Sequence, residues 1–88
     1  MNLIIKSSFY KDIKKIDDKV LKNQIEEIIN NIEEVKEISD IINIKKLSGY
    51  KSYYRIKHKD YRIGLFYETD IIYLVCFKHR KDIYKSFP

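Results

Sequence analysis

The chain has 88 residues and a formal net charge of +5, with 44% hydrophobic and 35% charged residues. A chain of this size has room for one hydrophobic core, so we expect residues 1–88 to form a single globular domain rather than a disordered segment. No apolar run approaches the roughly 20 residues of a membrane span, and the single cysteine, Cys76, excludes an internal disulfide. We therefore expect a cytoplasmic protein.

The first half of the chain predicts a short strand followed by a helix. Asn2 to Lys6 has the pattern of a strand, and the hydroxyl groups of Ser7 or Ser8 offer a cap for the helix that follows. The apolar residues of this helix fall on one face at helical spacing: Phe9, Ile13 and Ile16.

A second helix is the clearest element of the sequence. Asp17 and Asp18 interrupt the first helix and provide a cap for the second. An apolar stripe at helical period then consists of Val20, Leu21, Ile25, Ile28, Ile29, Ile32 and Val35. Two helices joined by a tight turn predict an antiparallel hairpin whose apolar faces need a partner layer.

The second half of the chain changes to the period of strands. A turn is expected at Gly49, and from Tyr50 onward aromatic and β-branched residues alternate with polar ones. Lys59–Asp60 and Thr69–Asp70 predict hairpin turns. The run from Ile71 to Phe77 is apolar at nearly every position, which indicates a strand covered on both faces. The residues after it have room for a turn of helix or an extended edge.

The order of these elements is β-α-α-β-β-β. It predicts an α+β fold with a mainly antiparallel sheet and an N-terminal helical hairpin packed on one face. The first strand is expected to join the same sheet, because a lone strand would leave its backbone polar groups unpaired.

The charges are divided unevenly between the two halves. Residues 1–44 carry seven lysines against nine acidic residues, a net charge of −2, whereas residues 45–88 carry eleven lysines or arginines against four acidic residues, a net charge of +7. So basic a segment is suited to a polyanion such as nucleic acid. A solvated basic surface with no such partner would have the same composition.

Five polar side chains are expected to converge on the sheet face opposite the helical hairpin, or at its rim: Arg55, Lys57, Arg62, Arg80 and Tyr84. Strand alternation places Arg55 and Lys57 on one face about 7 Å apart, and the hairpin brings Arg62 back beside them. Clustered cations would bind a phosphate chain, which arginine grips through two parallel hydrogen bonds. Alternatively, Arg55 and Arg62 only form ion pairs with Glu68 or Asp70.

Four short segments follow one another along the chain: Lys46-Leu47-Ser48-Gly49, Tyr54-Arg55-Ile56-Lys57, Asp60-Tyr61-Arg62-Ile63 and His79-Arg80-Lys81-Asp82-Ile83-Tyr84. In this order and spacing they resemble the RelE/ParE toxin superfamily. Its members carry a Lys-Leu-x-Gly turn, a basic Tyr-Arg-x-Arg/Lys strand, a Tyr-Arg pair in the next strand, and a late arginine followed by tyrosine. The resemblance covers nearly the whole chain, since the N-terminal strand and helical hairpin also belong to that fold.

The resemblance implies the toxin of a type II toxin–antitoxin pair. RelE-like members cut mRNA in the ribosomal A site without a metal, so the leading hypothesis is a ribosome-dependent endoribonuclease with no cofactor. Its implied partners are a cognate antitoxin and mRNA on the ribosome, with contacts to rRNA, and no membrane. The alternatives are a ParE-like inhibitor of DNA gyrase that has no enzymatic activity, and a degenerate member that only binds its antitoxin.

The positions of the family's catalytic residues are filled here by cations and a tyrosine. We assign Lys57 or Tyr84 as the general base that takes the proton of the RNA 2′-hydroxyl. Arg55 and Arg62 would stabilise the charged transition state, and Arg80 would do the same or donate a proton. Arg55 replaces a lysine found in some ribonuclease members, and the spacing from Arg80 to Tyr84 is shorter than in the best-known members.

Further contacts are expected around this set. Some family members use a histidine near the position of His79 as acid or base, whereas His58 is interpreted as an ordinary surface residue and Cys76 as a small core residue. The chain's two histidines and single cysteine do not predict a metal site. The predicted RNA-binding residues are Lys45, Lys46, Lys51, Tyr53, Lys59 and Lys81.

Overall fold

The structure, a computed structural model, describes all 88 residues. Its elements in chain order are β1 (Asn2–Ile5), α1 (Ser7–Lys14), α2 (Lys19–Glu34), β2 (Ile44–Lys46), β3 (Tyr53–His58), β4 (Tyr61–Glu68), β5 (Ile71–His79) and α3 (Ile83–Ser86), with a 3₁₀ turn at Ile38–Asp40. None of the helices has the length and apolarity that crossing a bilayer requires.

The five strands form one sheet in the order β1-β5-β4-β3-β2. All neighbours are antiparallel except β1 and β5, which are parallel. The predicted α+β class, the helical hairpin and the membership of the first strand in the sheet are confirmed. The structure adds β2, an edge strand of three residues that was not predicted from the sequence. Too short for a period-two pattern, it is formed by its register with β3.

The two long helices begin differently. The Asp18 side chain caps α2, since it accepts hydrogen bonds from the backbone N–H groups of Val20 at 2.9 Å and Leu21 at 3.2 Å. This cap was predicted. No side chain caps α1, and the hydroxyl of Ser8 instead donates to the carbonyl of Val75 on β5. The predicted serine cap is therefore wrong, because that hydroxyl connects α1 to the sheet.

The main core lies between the helical hairpin and one face of the sheet. Its buried side chains are Phe9, Leu21, Ile25, Ile32, Ile41, Ile56, Ile63, Leu65, Ile72, Leu74 and Phe77. Most of the predicted helical stripe contributes to it, but Val20 is 63% exposed. Alternation along β3 sends Tyr54 and Ile56 into this core and leaves Arg55 on the opposite face.

The C-terminal tail covers part of the opposite face. Cys76, Ile83 and Phe87 form a second buried cluster with Leu47, Tyr53 and Val75 packed against it. A bulge in β5 places Val75 between Leu74, which pairs with Leu65, and Cys76, which pairs with Gly64. The prediction that this strand is covered on both faces is confirmed.

A buried carboxylate joins α1 to the edge of β5 beyond the end of β1. The side chain of Asp12, 9% exposed, accepts hydrogen bonds from the backbone N–H of Phe77 at 2.9 Å and from the ammonium of Lys78 at 2.8 Å. The hydrogen bond to Asp12 raises the pKa of Lys78 above its ordinary value. The carboxylate therefore satisfies an N–H of β5 that has no strand partner at this point.

Candidate functional site

An open cavity of about 420 Å³ lies on the sheet face opposite the helical hairpin, between β2, β3 and the C-terminal tail. It is lined by Lys45, Lys46, Leu47, Ser48, Tyr50, Arg55, Tyr84, Phe87 and Pro88. Three of these residues are cations and none is acidic. The cavity is therefore suited to an anion.

Arg55 lies on β3, directly between Lys45 of β2 and Gly64 of β4. Its guanidinium donates one hydrogen bond, to the carbonyl of Asn43 at 3.2 Å. The molecule has three ion pairs, and neither Arg55 nor Arg62 takes part in any of them. The alternative in which these arginines only pair with nearby carboxylates is therefore wrong, and Arg55 keeps donors for a ligand.

Tyr84 is held at the cavity by the residues on either side of it. Ile83 is fully buried and Phe87 is 4% exposed, whereas Tyr84 between them is 59% exposed. The short helix α3 therefore buries its neighbours and presents the phenol to solvent beside Arg55. This is the one part of the predicted catalytic set that shares a cavity with Arg55.

Arg62 and Arg80 lie further along the sheet, at the turn between β3 and β4. Arg62 donates to the carbonyls of Lys59 at 2.9 Å and Tyr61 at 2.8 Å. The backbone N–H of Arg80 donates to the carbonyl of Asp60 at 2.7 Å, and its Nε lies 3.7 Å from the Asp60 carboxylate in an exposed ion pair. These two arginines thus lie at the same turn, outside the cavity.

Lys57 connects the two groups of cations. It pairs across the strands with Arg62, which in turn pairs with Lys78 of β5. Lys57 is exposed and also borders a separate groove with Gln24 and Asn31 of α2. The expectation that the five side chains converge therefore needs correction, because only Arg55 and Tyr84 of the five line the cavity. The four cations of the predicted set together form a basic strip, which consists of Arg55, Lys57, Arg62 and Arg80.

The histidines lie away from the cavity. His79 pairs with Tyr61, whose ring stacks on the core residue Phe77, so both face the helical hairpin. Nδ1 of His79 accepts a hydrogen bond from the N–H of Lys81 at 3.2 Å. The expectation that His79 joins the catalytic set is not met, because strand alternation turns it to the opposite face. His58 is half-buried and 2.7 Å from Gln24 Oε1, and burial lowers its pKa.

The predicted RNA-binding residues are distributed around the strip. Lys45 and Lys46 line the cavity, and Lys51 borders a shallow depression beside it. The ring of Tyr53 packs against Phe66 at 5.1 Å and Phe87 at 5.5 Å, measured between ring centres, so it supports the tail.

The other two predicted RNA-binding residues, Lys59 and Lys81, do not line the cavity. Lys59 borders a groove near the α1–α2 turn, and Lys81 is exposed after β5. Ser48 and Tyr50 also line the cavity, although neither was predicted as a site residue. The sequence feature that could have indicated them is the Lys46-Leu47-Ser48-Gly49 segment. Ser48 lies within it and Tyr50 follows it, and both line the same cavity as Arg55.

Cys76 is a core residue, as predicted. It is 7% exposed, and burial raises the pKa of its thiol to about 11. Because the thiolate is the reactive form, we expect negligible labelling by iodoacetamide in the folded protein at pH 8. Denaturation in guanidinium should restore the labelling rate of a free cysteine, and mass spectrometry would measure both rates. Rapid labelling of the folded protein would contradict this expectation.

Known proteins resemble this chain along nearly its whole length. Residues 3–84 match the model of a family described as the ParE toxin of type II toxin–antitoxin systems, parDE. A curated relative, Toxin RelE3 of Methanocaldococcus jannaschii, is 36% identical over an alignment of 89 positions that covers all of both chains.

Solved structures share the fold. The RelB-RelE antitoxin-toxin complex from Methanococcus jannaschii contains a chain that matches with a TM-score of 0.81 and 33% identity, over 97% of this chain and 99% of that one. The YoeB dimer from Staphylococcus aureus matches with a TM-score of 0.70 and 20% identity, over 90% of this chain and 95% of that one. The second match supports the fold alone.

Proposed function

This chain belongs to the RelE/ParE family of toxins from type II toxin–antitoxin systems, and on this premise we propose that it is an endoribonuclease that cuts mRNA on the ribosome without a metal. The active site of this proposal is the cavity that contains Arg55 and Tyr84. The runner-up function, inhibition of DNA gyrase without enzymatic activity, would not require a phenol in the same cavity as a guanidinium that has no ion pair.

The observation that carries the proposal is the charge of the cavity. Lys45, Lys46 and Arg55 line it, and none of the lining residues has an acidic side chain. Placing cations together costs free energy that a bound anion offsets, and the phosphodiester of RNA supplies such an anion. The cations at the β3–β4 turn extend the same strip, so that they would hold phosphates of neighbouring nucleotides.

The reaction needs two contributions from the protein, a base that takes the proton of the 2′-hydroxyl and a group that stabilises the charge on the phosphorus oxygens. The 2′-oxygen gives up its proton and attacks the adjacent phosphorus, the bond from phosphorus to the 5′-oxygen breaks, and the 5′-oxygen takes a proton from solvent, so the products are a 2′,3′-cyclic phosphate and a 5′-hydroxyl. Arg55 stabilises the charge that develops on the phosphorus oxygens. Of the two residues that the sequence offers as base, Tyr84 shares the cavity with Arg55 and Lys57 does not. We therefore assign removal of the 2′-hydroxyl proton to Tyr84, acting through its phenolate oxygen.

Replacing Tyr84 by phenylalanine tests this assignment. The variant keeps the ring and removes the hydroxyl, so cleavage should fall by about 10²-fold or more while the melting temperature is unchanged. Tyr10→Phe is the matched control, because Tyr10 is similarly exposed, at 53%, and lies on α1. Single-turnover cleavage assays measure the effect, and equal activity of Tyr84→Phe and wild type would reject the assignment.

Primer extension on an mRNA translated in vitro tests the function itself. Cuts that appear only in translated regions, in phase with the codons, would support ribosome-dependent cleavage. Uncut mRNA together with trapped gyrase–DNA cleavage complexes would instead establish the runner-up function.

The proposal implies two partners in the cytoplasm, a cognate antitoxin and mRNA on the ribosome. Residues 45–88, with a net charge of +7, provide a surface suited to both. An acidic antitoxin segment would be steered to the same strip that binds phosphates. Inhibition of the toxin by its antitoxin then follows from competition for these cations.

A further inference from the structure

The tail that carries Tyr84 lies directly on a glycine of the sheet. We propose that Gly64 is a positioning residue: its missing side chain makes the space in which the Phe87 ring lies, and Phe87 so placed holds Tyr84 at the cavity that Arg55 also lines. This inference rests on the proposed function, because it concerns the placement of the group assigned to proton transfer.

Gly64 lies in direct contact with the Phe87 ring. A Cβ at position 64 would lie 2.9 Å from both Cδ2 and Cε2 of Phe87, and 2.7 Å from Sγ of Cys76. Carbon atoms pack at about 3.5–4.0 Å, so any side chain here would overlap the ring. Gly49 is the chain's only glycine with a positive φ. Position 64 therefore needs glycine for space and not for backbone conformation.

The Phe87 ring is linked to Tyr84 through the short helix α3. The helix α3 has four residues, and a helix this short has no stability of its own. Its position depends on two buried anchors, Ile83 before Tyr84 and Phe87 after it, which are 0% and 4% exposed. The N–H of Phe87 donates to the carbonyl of Ile83 at 2.9 Å and closes the turn around Tyr84. Displacing the Phe87 ring therefore moves the phenol.

The register of the sheet places Gly64 next to Arg55. Gly64 on β4 is paired directly with Arg55 on β3. The ring that lies over Gly64 is thus beside Arg55, and Phe87 forms a wall of the same cavity. Gly64 is therefore next to both the residue that supplies the guanidinium and the ring that supports the tail, so it affects where the phenol lies relative to the phosphate site.

The test variant is Gly64→Ala. It is examined in two ways, by ¹⁹F NMR, which requires no cleavage activity, and by the rate of RNA cleavage. In protein labelled with 3-fluorotyrosine, the ¹⁹F resonance of Tyr84, assigned by its loss in Tyr84→Phe, should move toward the position of an unfolded chain. The maximal rate of cleavage should fall by about 10–100-fold, because a misplacement of about 1 Å costs that much, while KM for RNA changes less than about threefold. The double variant Gly64→Ala with Tyr84→Phe should cleave RNA no more slowly than Tyr84→Phe alone.

Rescue separates positioning from general damage to the fold. Phe87→Leu in the Gly64→Ala background removes ring atoms where the new methyl group needs space, and should recover most of the rate and the ¹⁹F position. Cys76→Ala in the same background relieves the other close contact and should recover neither. Recovery by Cys76→Ala and not by Phe87→Leu would overturn the proposal.

Two further results would also overturn it. One is an unchanged Tyr84 resonance in Gly64→Ala, which would show that the tail does not depend on this contact. The other is a displaced resonance with full cleavage activity, which would show that the placement of Tyr84 is immaterial. If the wild-type chain cut no RNA, the proposed function would fail, whereas the ¹⁹F comparison would still decide whether Gly64 places the tail.

Discussion

Alanine in place of Arg55 is expected to lower the rate of RNA cleavage by about 10²–10³-fold, the size of effect seen when one donor to a developing oxyanion is removed. Arg55 makes one hydrogen bond within the protein and no ion pair. Its removal should therefore change the free energy of unfolding by less than about 1 kcal/mol, since an exposed hydrogen bond contributes little. Single-turnover cleavage and urea denaturation measure the two quantities.

Two control variants distinguish the geometry of the guanidinium from its charge. Arg55→Lys keeps the charge and loses the paired donors, so it should recover part of the rate. Lys22→Ala removes one cation from the exposed face of α2 and should leave cleavage within about twofold, because this lysine lies away from the cavity and is screened by solvent. If Lys22→Ala and Arg55→Ala lowered the rate equally, general electrostatic attraction would explain the activity and the cavity would not.

Alanine in place of Asp12 is expected to cost about 2–3 kcal/mol of stability. The substitution leaves the buried N–H of Phe77 without an acceptor, a loss of about 1–3 kcal/mol. It also removes the ion pair with Lys78, which contributes less because that side chain is 33% exposed. Asp12→Asn retains an acceptor and should cost about 1 kcal/mol. Chemical denaturation measures the losses, with exposed Asp17→Ala as the control, expected within about 0.5 kcal/mol of wild type.

The pH dependence of this loss has a defined sign. The pKa of Lys78 is raised in the folded state, so its contribution to stability is fully present below the pKa of an unfolded lysine, about 10.4. The contribution is lost as the pH rises through the raised value. The difference in stability between wild type and Asp12→Ala should therefore be constant near neutral pH and shrink above about pH 10.4. A difference that grew in this range would contradict the assigned ion pair.

The local elements could be predicted because each has a periodic or capping signal. The apolar stripe of α2 and its Asp18 cap, the alternation of β3, and the turn at Lys59–Asp60 all follow from chemistry within a few residues. Edge strand β2 could not be predicted in the same way. Three residues give no period, and their conformation is fixed by pairing with β3.

The candidate site was predicted in its residue types more completely than in its geometry. Alternation correctly placed Arg55 on the face opposite the helices, because a pleat has a fixed period of two. It did not show that the arginines of the β3–β4 turn lie apart from Arg55, since Arg62 bonds carbonyls of that turn. His79 also required the structure, because the bulge at Val75 shifts the alternation of β5 before that residue is reached.

The sequence by itself determined the helical hairpin, every strand except β2, the basic second half and the toxin resemblance, because these depend on spacing and composition along the chain. Only the tertiary structure decided which cations share a cavity with Tyr84, that Asp12 binds β5 and that Phe87 lies on Gly64. Such contacts join residues distant in sequence, and their geometry depends on strand register and on the space that each neighbour leaves.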